Sequence, residues 1–230
     1  LDTLTMKAPE FKKKGSPLLK IKKVSSLDIS HLAKKYIQER RIPASVHYKL
    51  YYASRFNEWV NSIIPDKLPK LEKDSPRLVM PFIDKNGNLF GFNARAFSSN
   101  ELRYITIMID DSMPKIFGLD TVNFDDKYYV IEGPIDSLFI DNSVAMAGAD
   151  GKASGLESTE NAVFVFDNEP RNKEIVNRMK KCLDNRFSVC IWPEKLLDKD
   201  INDMILSGLT SESIKQIIDD NTYKGLEGKL

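Results

Sequence analysis

A series of carboxylates follows short apolar runs in the second half of this 230-residue chain. Glu132 comes after "KYYVI", with Asp136 one helical turn on. Asp167 and Glu169 come after "NAVFVF", and Asp200 and Asp203 lie in "KDINDMI". Gathered in a poorly solvated cleft, such groups repel one another, and their pKa values climb unless a cation neutralises them. A hard divalent cation is the simplest neutraliser. Oxygen ligands with no clustered His or Cys point to Mg2+ or Mn2+ rather than zinc. Mg2+ binds through one or two carboxylates plus substrate phosphates, so a phosphate-bearing partner is expected. Taken singly, each motif is common, and a solvated turn acid is its ordinary reading. The weight lies in the order: Glu-Gly-x-x-Asp after one strand, Asp-x-Glu after a second, Lys-Asp-x-x-Asp after a third.

The elements that would position these acids alternate. From residue 126 the pattern reads strand "KYYVIEG", helix "PIDSLFIDN", strand "SVAMAG", loop "ADGKASGLEST" and strand "NAVFVFDNE". Helix "PRNKEIVNRMKKCLDN", strand "FSVCIWP", the segment "LDKDINDMILSG" and a last helix near "TSESIKQIIDD" follow. This alternation predicts a parallel sheet flanked by helices, and such sheets bind ligands at the carboxyl ends of their strands. All the acids then fall on one sheet edge. Asp136 faces the same side as Glu132 if its helix starts at Pro134, where it holds a metal water or caps the helix. The loop with Gly148, Gly151, Lys152 and Gly155 permits close backbone approach but lacks the Walker spacing.

Upstream the pattern changes. "PRLVMPFID" and "LFGFNARAF" flank "DKNGN", whose Asn86 and Gly87 signal an antiparallel hairpin, and "RYITIMI" adds a further strand. "KIFGLDTVNF" reads as a short irregular segment or helix. A helix is expected after the Ser and Asp caps of "SSLDIS", through "HLAKKYIQERRI", until Pro43 stops it. The aromatics of "VHYKLYYASRFNEWVNSII" read mainly as core. Residues 1–24 combine Lys7, Lys12, Lys13, Lys14, Lys20, Lys22 and Lys23 with Pro9, Gly15 and Pro17, as a basic linker or loosely held arm does. The expected organisation is this arm, an α+β subdomain over 25–125 and a parallel-sheet domain over 126–230 with a carboxyl-terminal helical segment: an α/β fold overall.

Composition narrows the classes. With 42% hydrophobic residues and a net charge of +1, the chain can bury one good core or two smaller ones. No stretch approaches the roughly 20 apolar residues of a membrane span, and the amino terminus lacks a signal-peptide pattern, so a soluble, cytoplasmic protein is expected. Cys182 and Cys190, with no second pair or nearby His, exclude a four-ligand zinc site within these residues and read as small core hydrophobes. His31 and His47 read as structural or surface residues. No Ser/His/Asp or Cys/His set is found. The first residue is Leu rather than Met, and the chain is expected to be a piece of a longer one.

"VIEGPIDSLF" followed by "VFVFDNEPRN" resembles the Toprim fold shared by bacterial-type primases, topoisomerases and some nucleases. The wider match is to the primases. "RLVMPFIDKNGNLFGFNARAF" resembles the segment before their Toprim region, "LRYI" a basic-aromatic stretch, "KIFGLD" the approach to the first acidic strand and "KDINDMI" the third acidic motif. The likeness covers roughly residues 30 to 208, and the wording "DNEPR" and "KDINDM" is nearest to primases of T-even-type bacteriophages.

Carried over, this resemblance implies Glu132 as first acid, Asp136 as the acid of the following helix, Asp167 and Glu169 as the pair, and Asp200 in the third motif, with Asp203 a looser match. Glu132, Asp167 and Glu169 are the catalytic set it implies. The family commonly has Asp-x-Asp where Glu169 makes Asp-x-Glu here, and metal binding is expected to survive the longer arm. Arg95, Arg103, Tyr104, Lys115 and Arg171 are implied contacts for template or nucleotide, where cations hold phosphates and aromatics stack bases.

The implied activity is RNA primer synthesis on single-stranded DNA for phage replication, from ribonucleoside triphosphates, by phosphoryl transfer with two or more Mg2+ or Mn2+ ions. The resemblance further implies a zinc-binding domain ahead of the Lys-rich beginning, no zinc in this fragment, and a separate hexameric replicative helicase as partner. Two alternatives remain open. One is a Toprim nuclease that hydrolyses phosphodiesters, strand cleavage through a tyrosine needing a further domain. The other is a non-catalytic nucleic-acid-binding replication module.

Overall fold

The computed structural model describes residues 16–147, 156 and 159–225. Residues 1–15 of the expected arm, and the loop with Gly148, Gly151, Lys152 and Gly155, lie outside the described residues. Two sheets form. The first has the order β1-β2-β3-β4-β5, from Lys22–Lys23, Tyr51–Ala53, Arg77–Ile83, Leu89–Ala96 and Tyr104–Met108, and every pairing in it is antiparallel. The second has the order β11-β10-β9-β7-β8-β6, from Thr222–Lys224, Ser188–Cys190, Ala162–Val165, Tyr128–Ile131, Ser143–Met146 and Ile116–Phe117. Its four inner strands are parallel and its two edges antiparallel. The helices are α1 (Leu32–Glu39), α2 (Phe56–Asn61), α3 (Pro134–Ser137), α4 (Lys173–Asp184), α5 (Ile201–Ser207) and α6 (Ser211–Asp220).

The hairpin between β3 and β4 turns as its sequence demands. Asp84 accepts from the backbone N–H groups of Asn86 and Asn88 through its side chain, and Gly87 takes a φ of 81° that a side chain would resist. Successive residues of β3 point to opposite faces, and both faces are buried. Val79 joins Phe56, Trp59, Val60, Phe92 and Ala94 under α2. Leu78, Met80 and Phe82 join Ile116, Phe117, Tyr128 and Val130 of the second sheet in one continuous core. The inner face of the first sheet is thus a wall of the second sheet's core, which fixes the two relative to one another.

Several short elements depart from expectation. Residues 17–24 are no loose arm: a 3-10 turn buries Leu18, Val24 is wholly buried, and Lys22 and Lys23 pair with Tyr52 and Tyr51 while their side chains face outward. The segment after Lys115 forms strand β6 on β8. Helix α1 is capped by His31, whose Nδ1 accepts from Ala33 N–H, while Asp28 and Ser30 make the turn before it. His47 is buried and hydrogen-bonds the Ile42 carbonyl, and burial pulls its pKa down. Cys182 and Cys190 are buried free thiols. None of the helices among the described residues is long and apolar enough to cross a membrane.

Candidate functional site

Parallel register brings the first two acidic motifs together. β7 and β9 pair with Ile131 beside Val165, so the chain leaves both strands at one level. Glu132 and Asp167 are the first polar groups beyond, and the Asp167 N–H donates to Glu132 Oε2 at 3.1 Å. The other oxygen of Glu132 accepts from Arg178 Nη1 at 2.7 Å, Arg178 reaching back from the middle of α4. Gly133 starts α3 with Pro134 at its first turn, which places Asp136 against the same edge. A Cβ at Gly133 would stand 2.6 Å from Asp136 Oδ2, so any side chain there would move the Asp136 carboxylate.

The third motif arrives through α5. Asp200 is its N-cap and accepts from Asp203 N–H at 2.8 Å. The approach to it is tied down by Asn168, whose side-chain amide donates to the carbonyls of Leu196 and Asp198 and whose backbone N–H donates to that of Lys199. Asn202, buried behind Asp200, donates its backbone N–H to Asp136 Oδ1 at 2.8 Å. Its side chain accepts from Arg40 Nη1 at 2.5 Å and donates to the Arg40 carbonyl at 2.8 Å. Arg41 Nη1 donates to the Ile205 carbonyl, so the end of α1 is pinned to α5 at two places.

One cleft of about 280 Å³ is lined by Glu132, Asp136, Asp167, Lys199 and Asp200 from the second sheet's side, and by Asn93, Arg103, Tyr104 and Thr106 from the first. Its carboxyls are short of counter-charge. Burial first, and Asp200 second, push Asp136 up to about 7. Burial, then Glu132, Asp136 and Asp200, push Asp167 up to about 7 against the pull of Lys199. Two carboxyls that burial, and then their acidic neighbours, keep from ionising mark a place where a cation would be welcome. The donors are carboxylate oxygens throughout, which suits Mg2+ or Mn2+. Among the described residues no three His, Cys, Asp or Glu side chains converge on a single point for an ion.

The remaining expected residues are distributed around this cleft. Glu169 turns to Lys199, 3.3 Å away, and is not in the cleft lining. Asp203 is exposed on the outer side of α5, its carboxyl raised by burial and then by Asp200 and Asp198. Arg95 is buried behind the wall: its Nη1 donates to the Tyr104 hydroxyl, and its guanidinium lies between the rings of Tyr104 and Tyr36. Arg103 sits exposed over the Tyr104 ring at 5.7 Å. Lys115 is exposed at the β6 edge, its carbonyl accepting from Ala147 N–H. Arg171 is exposed ahead of α4 and outside the cleft lining. Sequence reasoning missed Arg178, Asn202 and Asn168. The signal for Asn168 was its place inside Asp-Asn-Glu, whereas Arg178 looks like any cation on the polar face of a helix.

No family model matches the chain. The DNA primase of Enterobacteria phage T4 is 36% identical over 211 residues, covering 90% of this chain and 61% of the phage protein. The chain therefore spans about three fifths of the length of that curated relative. Among solved structures, the Escherichia coli primase catalytic core matches with a TM-score of 0.66 at 17% identity, over 90% of this chain and 78% of that one. A DnaG primase catalytic domain bound to single-stranded DNA matches with a TM-score of 0.66 at 17% identity, over 90% and 76%. At such identities the structural likeness is one of fold: the chain has the mixed α/β fold of primase catalytic cores. The resemblance borne by the acidic motifs is thus met in sequence by a phage primase and in fold by the bacterial cores.

Proposed function

We propose that this relative of the DNA primases is an RNA-synthesising core that joins ribonucleotides on single-stranded DNA. The observation that carries the reading is the single cleft in which Glu132, Asp136, Asp167 and Asp200 face Arg103 and Tyr104. Carboxylates on one wall and a cation with an aromatic ring on the other suit a substrate that brings both phosphates and bases. Mg2+ or Mn2+ would be held by Glu132, Asp136, Asp167 and Asp200. The chemistry supplied by such ions is ionisation of a primer 3′-hydroxyl and neutralisation of the charge that grows on a leaving pyrophosphate.

The chain's own residues do the rest by placement. Asn202 and the Asp167 backbone aim Asp136 and Glu132 at the cleft. Arg103 and Lys199 stand at its rim to receive triphosphate or template phosphates, and Tyr104, braced from behind by Arg95, offers a ring for a base. Glu169 beside Lys199, Arg171 and Lys115 stand farther out, where template strand or primer would run. Single-stranded DNA, ribonucleoside triphosphates, an RNA primer and a replicative helicase are the partners that belong to this reading, and the host-cell cytoplasm is its place.

The test is extension of a short RNA primer already annealed to a DNA template, which removes the need for initiation. With Mn2+ and ribonucleoside triphosphates the wild type is expected to lengthen the primer, and Asp167→Asn to do so at least about 100-fold more slowly. Equal extension by both proteins would refute the reading. Metal-dependent loss of DNA without triphosphates would replace it by hydrolysis. Salt-sensitive DNA binding with no turnover of either kind would make the chain a binding module.

A further inference from the structure

Arg178 is the one basic side chain bonded to a cleft-lining acid among the described residues. Its Nη1 lies 2.7 Å from Glu132 Oε1, with the two side chains 16% and 24% exposed. Its guanidinium lies over the Phe166 ring at 5.1 Å. Its Nε is buried without a hydrogen-bond partner. One hydrogen bond and one ring face therefore hold this cation in place, at the end of a long side chain from α4. Of the two cations that line the cleft, Lys199 is paired with Glu169 outside it and Arg103 stands over the Tyr104 ring on the opposite wall.

Glu132 does not need Arg178 to know its direction. Its second oxygen is held by the Asp167 N–H, which the parallel pairing of β7 and β9 fixes. A guanidinium on an acid that is already oriented adds charge more than geometry. From this we infer that Arg178 is a resident counter-cation, which occupies Glu132 when no divalent ion does and so sets how tightly the cleft binds one. The inference rests on the acids being a divalent-cation site, as the proposed function holds. A divalent ion and a guanidinium on one carboxylate repel each other, and in a partly buried site that repulsion is poorly screened. Binding must then displace the guanidinium or tolerate it, and either weakens the ion's hold. An ion that takes Glu132 has to draw off a guanidinium held by one hydrogen bond and one ring face, with no partner for its Nε to be broken.

The experiment is calorimetric titration of Mn2+, at one ionic strength, into the whole chain as wild type, Arg178→Met and Arg178→Lys. Arg178→Met keeps the apolar contact with Phe166 and removes the charge, and it is expected to bind Mn2+ at least about tenfold more tightly, or about 1.4 kcal/mol. Arg178→Lys keeps the charge and is expected to stay within about threefold of wild type. Should Arg178→Met fail to fold, as judged by urea unfolding, Arg178→Gln takes its place.

Binding by the charge-free variant that is equal to or weaker than wild type would overturn the inference, because the guanidinium would then be a support for Glu132. Equal tightening in the Lys variant would overturn it too, since charge would not be the cause. The two readings fail separately. Wild type that binds Mn2+ but never extends a primer ends the polymerase reading and leaves the affinities to decide this one. Primer extension with the affinities in the wrong order does the reverse. Absence of Mn2+ binding in wild type and all variants overturns the inference outright.

Discussion

Replacing Asp136 by Asn is expected to stabilise the metal-free protein, and increasingly so as the pH rises. Asp136 lies at the cleft floor, its carboxyl enclosed though part of the residue is open, and its pKa climbs from 3.8 to about 7 on folding. A native state that keeps a proton the unfolded chain has released loses stability as the pH rises from about 4 towards 7. Above both pKa values an isolated group with this rise would cost roughly 4 kcal/mol, at about 1.4 kcal/mol per pKa unit. Asp200 and Asp167 share the repulsion and the cleft admits water, so about half of that, ~2 kcal/mol, is the expected gain at pH 8. Near pH 4.5 the gain shrinks below about 1 kcal/mol, because the pH then lies less than one unit above the unfolded carboxyl's 3.8, and release of its proton favours the unfolded chain only slightly.

Asn suits the site for a structural reason. Its Oδ1 can still accept from the Asn202 N–H, so the substitution removes charge and keeps the hydrogen bond. The assay is urea unfolding in a chelator from pH 4.5 to 8, followed by tryptophan fluorescence; Trp192 donates to the Phe166 carbonyl beside the acids and reports on this region. At pH 8 the variant's unfolding free energy should exceed that of the wild type by ~2 kcal/mol, which a thermal melt would read as a rise of about 4–8 °C for a chain of this size. Parallel stability profiles for the two proteins, or a less stable variant at pH 8, would mean that folding does not raise the Asp136 carboxyl.

Two further substitutions probe how the cleft is held. Asn202→Ala leaves the Arg40 guanidinium and carbonyl without their partner in a buried place, and a loss of about 2–3 kcal/mol in urea unfolding is expected; unchanged stability would show that the Arg40–Asn202 tie adds nothing to the joining of α1 and α5. Gly133→Ala is compatible with the backbone, whose φ is −104°, so folding should change by less than about 1 kcal/mol. Its Cβ, however, would displace the Asp136 carboxylate, and Mn2+ affinity should fall several-fold by calorimetry; an unaltered affinity would remove Asp136 from the ion's surroundings.

What the sequence made legible is what local signals encode. The turn at Asn86 and Gly87 fixes a hairpin without help from elsewhere, and alternation of strands and helices after residue 126 implies parallel pairing. What it hid depends on distant partners. Lys22 and Lys23 look like linker because nothing nearby announces Tyr51 and Tyr52 as their pairing partners. β6 and β11 are short as well, and each is a strand only because an edge was waiting for it. Glu169 is instructive in another way. Residues two apart share a face only while the strand lasts, and β9 ends at Val165. The chain then turns sharply, Glu169 N–H donating to the Asp167 carbonyl, and the alternation that would have paired the two acids no longer applies.

The least legible feature is that the cleft belongs to both sheets. Read along the chain, the hairpin strands and the acidic motifs look like separate modules. Yet Asn93, Arg103, Tyr104 and Thr106 come from β4, β5 and the residue before β5, while every acid comes from the second sheet's side. Their meeting depends on the inner face of β3, whose Leu78, Met80 and Phe82 pack into the second sheet's core, and on the Arg40–Asn202 and Arg41–Ile205 ties at the other end. None of those residues carries a chemical motif. A truncated side chain at Met80 or Phe82 could therefore shift the wall that bears Arg103 relative to Asp167 without touching either, since close-packed interiors pass strain on rather than absorb it. The distance between phosphate-binding and ion-binding walls is set by apolar packing, and that is why composition and motif order could name the groups but not their spacing.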